Sequence, residues 1–193
     1  MLKIFEKIMY PALILLIIFY TYQARNHPLY FESNLAAEGG PLQWSIILTL
    51  FFASGLCLYR ASLLKPFRGS NFSFCLILQG LFFFIFAMDE MSWGQIIFKF
   101  KTPEVIAGLN AMGETNIRHL VIEGFAIKDI VFTLMIKILA TLYFLVLPFL
   151  YSRQQVKVKN FVDRFAIPLP RYTQTGAYIV AALMMNFIPS FLR

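Results

Sequence analysis

Five stretches of this 193-residue chain are each apolar for about the 20 residues that a helix needs to cross a bilayer core about 30 Å thick. They cover approximately 4–22, 42–64, 72–90, 127–151 and 172–192. Runs of that length are too long for strands, and in lipid a helix satisfies its own backbone hydrogen bonds. Only 14% of the residues are charged while 59% are hydrophobic. A water-facing surface draws on about 25% charged residues, so a soluble enzyme, a disordered chain and a secreted disulfide scaffold are all excluded. The expected fold is all-α: a polytopic helical membrane bundle of five spans plus two short interfacial or re-entrant helices, forming one integral domain over 1–193.

Charge agrees with this reading. The net +7 does not point to nucleic acid, because the basic residues lie in short loops between apolar runs rather than on one clustered face. Cys57 and Cys75 fall inside apolar runs and read as small hydrophobes. Lys3 and Lys7 ahead of an apolar run resemble a signal peptide, but cleavage after Ala24 would put the bulky Tyr22 where a small residue is wanted, which favours a retained helix. Placing the amino terminus in the cytoplasm gives ten Lys and Arg inside against six outside, the asymmetry expected of a multi-pass membrane protein with an extracytoplasmic carboxyl terminus. Eight of the ten acids then fall outside, and acids do little to set topology, so their clustering calls for another reason.

That reason is sought in the outer interhelical segment, 89–126. A connection this long is expected to have structure of its own. Asp89 to Phe98 reads as a continuation of the third span. Thr102-Pro103-Glu104 has a helix-start signature, and Val105, Ile106, Leu109 and Met112 give one apolar face, with Gly113 to end the helix. A second short helix fits from Thr115 or Asn116 to Gly124. On it, Glu114 and Arg118 are four apart, as are His119 and Glu123, which would place each pair on one face.

Such a pattern points to two chemistries. Asp89, Glu90, His119 and Glu123 are a candidate nitrogen/oxygen ligand set for a divalent metal. Without metal, Glu90, Glu114 and His119 are candidate general acids and bases. A plain exposed ion pair at His119–Glu123 is the simpler alternative. Asp89 and Glu90 sit at the end of an apolar span, where acids face protein or water, unless they only mark a boundary anchored by Trp93. Two successive carboxylates diverge by about 100° on a helix, so one of them is expected to reach the site. Lys137 lies mid-span and is expected to face the bundle interior, where Asp89, Glu90, Gln79 or Asn186 are possible partners. The inside segment from Tyr151 to Arg171 carries five basic residues and one acid, enough to touch anionic headgroups or simply to set topology.

The string Glu90, Ser92, Trp93, Gly94, Gln95, then Thr102-Pro103-Glu104, Asn110, Glu114, Asn116, His119 and Leu120 resembles a family of small polytopic bacterial membrane proteins. That family has an E-x-S-W-G-Q … T-P-E … N-x-x-G-E-x-N-x-H-x-L signature. The likeness covers roughly 35 residues and departs at Arg118, ahead of the histidine. It implies a multi-pass inner-membrane protein whose functional residues lie in the outer segment, and it implies no particular reaction.

The expectation for function is a membrane-embedded enzyme, a metal-dependent or acid/base hydrolase or transferase, acting on a lipid or lipid-linked substrate at the extracytoplasmic face. Glu90, His119 and Glu114 would be catalytic. Ser92, Trp93, Gln95, Asn110, Asn116 and Lys137 would bind substrate. The competing expectation is a non-catalytic scaffold, assembly or partner-recognition subunit of an envelope complex. An ion pathway through Glu90 and Lys137 is less favoured, since there are no inverted repeats or paired broken helices. Membrane lipids and a possible membrane-protein partner are the expected contacts, with no nucleic acid.

Overall fold

The computed structural model describes residues 2–122, 124–153 and 155–191, without the side chains of 2–10, 13, 129, 132 and 184–191. The chain is mostly helical, as the apolar runs require. The main helices are α1 (Leu2–Asn26), α2 (Pro41–Arg68), α3 (Ser70–Glu90), α4 (128–152), α5 (Val156–Arg164) and α6 (Tyr172–Phe191). Among the described residues, three helices are long and apolar enough to cross a membrane: Pro41–Arg68, Ser70–Glu90 and Thr133–Ser152. Large side chains such as Phe52, Phe67, Phe74 and Phe149 stand exposed along them, a surface that suits hydrocarbon and not water.

Contacts divide the described chain into two units, 1–45 and 46–191. In the first, α1 carries Pro11 inside it and ends at Asn26. A short turn, Pro28–Tyr30, leads into a π-helical turn, Phe31–Leu35, and Phe31 meets Tyr20 of α1 edge to face. Gly39 takes a positive φ, and its N–H donates to the Gln43 side chain at 2.6 Å, which closes the turn before α2.

In the second unit, α2 and α3 pack through a close approach at Gly80. A Cβ there would stand 3.0 Å from the Leu58 side chain and 3.3 Å from the Ser54 carbonyl oxygen. The same closeness lets the Ser54 hydroxyl donate to the Gly80 carbonyl at 2.8 Å, the small-residue contact that holds helices together where burial from water contributes little. Phe51 and Phe84 meet edge to face at the same pair of helices. Ala61, Leu76 and Ala166 form a small buried cluster near the other end of α3.

The α4 helix alternates π and α geometry: π over Lys128–Met135, α over Ile136–Thr141, π over Leu142–Val146, then α over Leu147–Ser152. Its contacts with α6 explain where the second π stretch sits. Thr175 donates to the Phe144 carbonyl at 3.0 Å, Tyr178 stacks on Phe144 at 4.9 Å, and the Thr141 and Tyr178 hydroxyls bond at 2.9 Å. A side-chain hydroxyl thus meets a carbonyl inside a turn that is wider than an α-turn.

The outer segment departs from its sequence expectation in two ways. The third helix does not run on to Phe98. It ends at Glu90, and Ser92, Trp93 and Gly94 follow with φ of 50°, 54° and 92° before a single turn, Gln95–Phe98. Nor are there two amphipathic helices beyond it. One turn forms, Glu104–Ala107, and the rest up to Leu120 is mainly turns and bends. Asn110 bridges Leu120, and the strands β1 (Val121–Ile122) and β2 (Phe125–Ala126) form an antiparallel hairpin, with Gly124 at φ 83° in its turn. Nine to twelve residues are too few to fold an isolated helix without strong packing, and Asn110, Asn116 and two glycines favour turns.

Candidate functional site

The end of α3 and the returning segment 110–120 enclose a cluster of buried polar side chains. Asp89, Ser92, Asn110, Glu114 and Asn116 are all buried, Ser92 at 0% and Asn116 at 1% exposure. Burying such groups is tolerated only where their hydrogen bonds are made, and here they are made to one another.

The left-handed turn at Ser92–Gly94 is what aims the cluster. L-residues enter that region at a cost of roughly 1–2 kcal/mol each, so something must hold Ser92 and Trp93 there. The Thr115 hydroxyl donates to the Ser92 carbonyl at 2.6 Å, and the Ser92 hydroxyl donates to Glu114 Oε2 at 3.0 Å. Gln95 locks the next turn with all of its capacity: Nε2 donates to the Phe100 carbonyl and the Thr102 hydroxyl, while Oε1 accepts the Thr115 N–H at 2.9 Å. The Thr102 hydroxyl in turn donates to the Gly113 carbonyl at 2.5 Å.

Two asparagines shape the returning loop. Asn110 Oδ1 accepts the N–H groups of Met112 and Glu114, at 3.0 and 3.1 Å, and its Nδ2 donates to the Asn116 carbonyl at 2.9 Å. Asn116 Oδ1 accepts the His119 N–H at 3.1 Å, and Asn116 Nδ2 donates to the Ser92 hydroxyl and to Glu114 Oε2. These bonds place Glu114 at the centre, with His119 Nδ1 3.3 Å from its Oε2 and side-chain exposures of 14% and 11%.

Asp89 and Glu90 both reach the returning segment, against the expectation that only one would. Asp89 Oδ1 accepts the Ile117 N–H at 2.6 Å, and Glu90 Oε2 pairs with Arg118 Nη1 at 2.5 Å. The helical divergence of the two acids is matched by consecutive residues at a turn, Ile117 and Arg118, which present a backbone N–H and then a side chain. Arg118 Nε is buried and has no hydrogen-bond partner among the described residues.

Of the residues expected at the site, Asp89, Glu90, Ser92, Gln95, Asn110, Glu114, Asn116 and His119 are brought together. Trp93 is adjacent in the chain but exposed. Lys137 is not part of the cluster: its side chain is exposed on α4, and none of the cluster's hydrogen bonds reaches it. Gln79, offered as its partner, donates instead to the Phe165 carbonyl at 3.0 Å, and the Asn186 side chain lies outside those described. Thr102, Thr115 and the Arg118–Glu90 pairing did not stand out in the sequence as part of the site. Glu114 pairs with His119, five residues on, because the segment between them is not helical.

The described members of the candidate metal set point to different partners. Among the described residues no three His, Cys, Asp or Glu side chains gather where one cation could be shared. Asp89 is turned to a backbone N–H, Glu90 to a guanidinium, and His119 Nδ1 to Glu114. Glu123 lies outside the described residues.

What the arrangement can do is acid–base chemistry. With the proton on Nδ1, the imidazole donates to the Glu114 carboxylate and leaves Nε2 as the basic nitrogen, the orientation a carboxylate imposes on a working histidine. Ser92 is not placed as a nucleophile, since it is fully buried and donates to Glu114 rather than to the imidazole.

Compared with known proteins, the chain matches no family model, no curated protein and no solved structure. The likeness to the E-x-S-W-G-Q family therefore rests on the motif residues alone.

Proposed function

We propose that this is a five-span bacterial inner-membrane protein, amino terminus cytoplasmic and carboxyl terminus extracytoplasmic, in which α1 and α6 also cross the bilayer. Its cluster at the outer end of α3 performs acid–base catalysis on a lipid or lipid-linked substrate. His119 acts as base and acid through Nε2, Glu114 orients the imidazole, and the Glu90–Arg118 pair presents the guanidinium towards an anionic group. The observation that carries this reading is the Glu114–His119 contact at 3.3 Å inside an otherwise buried polar cluster. A carboxylate spent on fixing one imidazole tautomer is costly for a structural turn and useful to a general base.

A second reading, a scaffold or partner-recognition subunit, draws on a different observation. Gln95, Asn110 and Asn116 bond almost wholly to the cluster itself, while Val105, Met112 and Phe125 stand exposed on the same segment. That pattern suits a rigid platform for another membrane protein.

The two readings separate in one experiment. The full chain and His119→Gln are reconstituted with an unfractionated inner-membrane lipid extract, and the lipids are followed by mass spectrometry. Enzymatic function predicts a lipid species that the wild type converts and His119→Gln does not. Identical lipid profiles, together with a stoichiometric partner retained in mild detergent, overturn the enzyme reading.

A further inference from the structure

A second site is present at the far end of α3 from the polar cluster. Asn71, Phe74 and Leu78 recur along one stripe of the first turns of α3. Facing them are Phe161 and Phe165 of α5 and the residue after it, four apart and tilted against each other at 4.8 Å. Between the two walls runs a groove of about 580 Å³, in the size range of small-molecule and lipid-tail sites. The walls are held together rather than merely adjacent: Gln79 Nε2 donates to the Phe165 carbonyl at 3.0 Å, and Val162, on the other side of α5, is buried. Phe74 and Phe161 are 60% and 51% exposed, so α5 seals one of its faces and leaves the phenylalanine face open.

Polar as well as apolar side chains line the groove, Gln79 among them. Arg164 borders it with an exposed guanidinium that forms no ion pair among the described residues, and Asn71 stands in the first turn of α3. Leu78 lies seven residues further along, about 10 Å deeper at 1.5 Å per residue. A guanidinium beside an aromatic furrow matches the charged group and the acyl chain of one lipid. The charge there is one-sided, since residues 151–171 carry five basic side chains and one acid.

The geometry points to a binding site for an anionic phospholipid, its phosphate on Arg164 and one acyl chain along Phe74, Leu78, Phe161 and Phe165. This site is independent of the chemistry assigned to His119, so either can fail alone.

The test uses the full chain in detergent micelles, titrated with dioleoyl phosphatidylglycerol or dioleoyl phosphatidylcholine, with bound lipid counted by native mass spectrometry. The wild type is expected to retain the anionic lipid several-fold better. Arg164→Gln should reduce that preference about five-fold, the effect of about 1 kcal/mol for one basic residue near a headgroup. Lys157→Gln, one of the exposed basic residues of α5 away from the groove, should change it less than two-fold. Leu78→Trp, which fills the furrow without altering charge, should lower retention of both lipids while helix content by circular dichroism stays the same. Equal retention of the two lipids overturns the proposal. So do equal effects of Arg164→Gln and Lys157→Gln, which would assign the attraction to diffuse loop charge, and so does an inert Leu78→Trp.

Discussion

Asp89, at the last turn of α3, accepts the backbone N–H of Ile117 at 2.6 Å, joining a long apolar helix to a segment 28 residues further along the chain. The bond is charge-assisted, and a hydrogen bond to a charged group contributes about 1.5–3 kcal/mol. Because it is made to backbone, it fixes the path of the chain rather than the choice of side chain at 117. Asp89→Ala is therefore expected to speed hydrogen exchange at the Ile117 amide by roughly 10- to 100-fold, that energy converted at about 1.4 kcal/mol per decade. The Leu76 amide within α3 should not change. Exchange at Ile117 that is indifferent to Asp89 would mean the returning segment is held by something else.

The Glu90–Arg118 pair makes a different prediction. Both side chains are largely buried, so removing one leaves a charge without its counter-charge. Glu90→Gln and Arg118→Met should each destabilise the protein more than the double substitution's excess over either one. The coupling expected for neighbours in one network is about 1–3 kcal/mol, read from a double-mutant cycle of unfolding in mixed micelles. Strictly additive costs would make the pair a surface contact without consequence for the site.

Much of the architecture was legible because apolar length is a direct consequence of bilayer thickness. The runs containing Pro41–Arg68, Ser70–Glu90 and Thr133–Ser152 are helices long and apolar enough to match that thickness. The outer segment was legible in its residues and not in its geometry. Periodicity at Val105, Ile106, Leu109 and Met112 imitates a helix face, yet only Glu104–Ala107 forms a turn, because Asn110 spends its side chain on the N–H groups of Met112 and Glu114. The same failure paired His119 with Glu114. The kink at Ser92–Gly94 has one local signal, Gly94. The left-handed conformations of Ser92 and Trp93 are imposed by Thr115 and Glu114 from more than 20 residues away, and a local pattern carries no trace of them.

Packing of α2 on α3 gives a prediction free of the polar cluster. Gly80→Val adds a branched Cβ where the Leu58 side chain already stands 3.0 Å away and the Ser54 carbonyl oxygen 3.3 Å away. The helices must separate or Leu58 must leave its rotamer, a cost of about 1–3 kcal/mol. The Ser54–Gly80 hydrogen bond should weaken with it. A lowered melting temperature in detergent checks this, and Leu58→Ala should restore part of the loss in the same background. An unchanged melting temperature for Gly80→Val would show that the two helices are not in close contact there.

The account rests on Glu114 holding the His119 imidazole in one tautomer, and the chain is well suited to seeing this because it has just two histidines, His27 and His119. The direct measurement is a long-range proton–nitrogen NMR spectrum of the imidazoles in detergent micelles at a pH where both rings are neutral, on the wild type and on Glu114→Ala. The account predicts that His119 carries its proton on Nδ1 in the wild type and shifts towards the Nε2-protonated form in Glu114→Ala, while His27 is the same in both. A His119 ring protonated on Nε2 in the wild type, or one that matches a freely solvated imidazole and ignores the loss of Glu114, would contradict it.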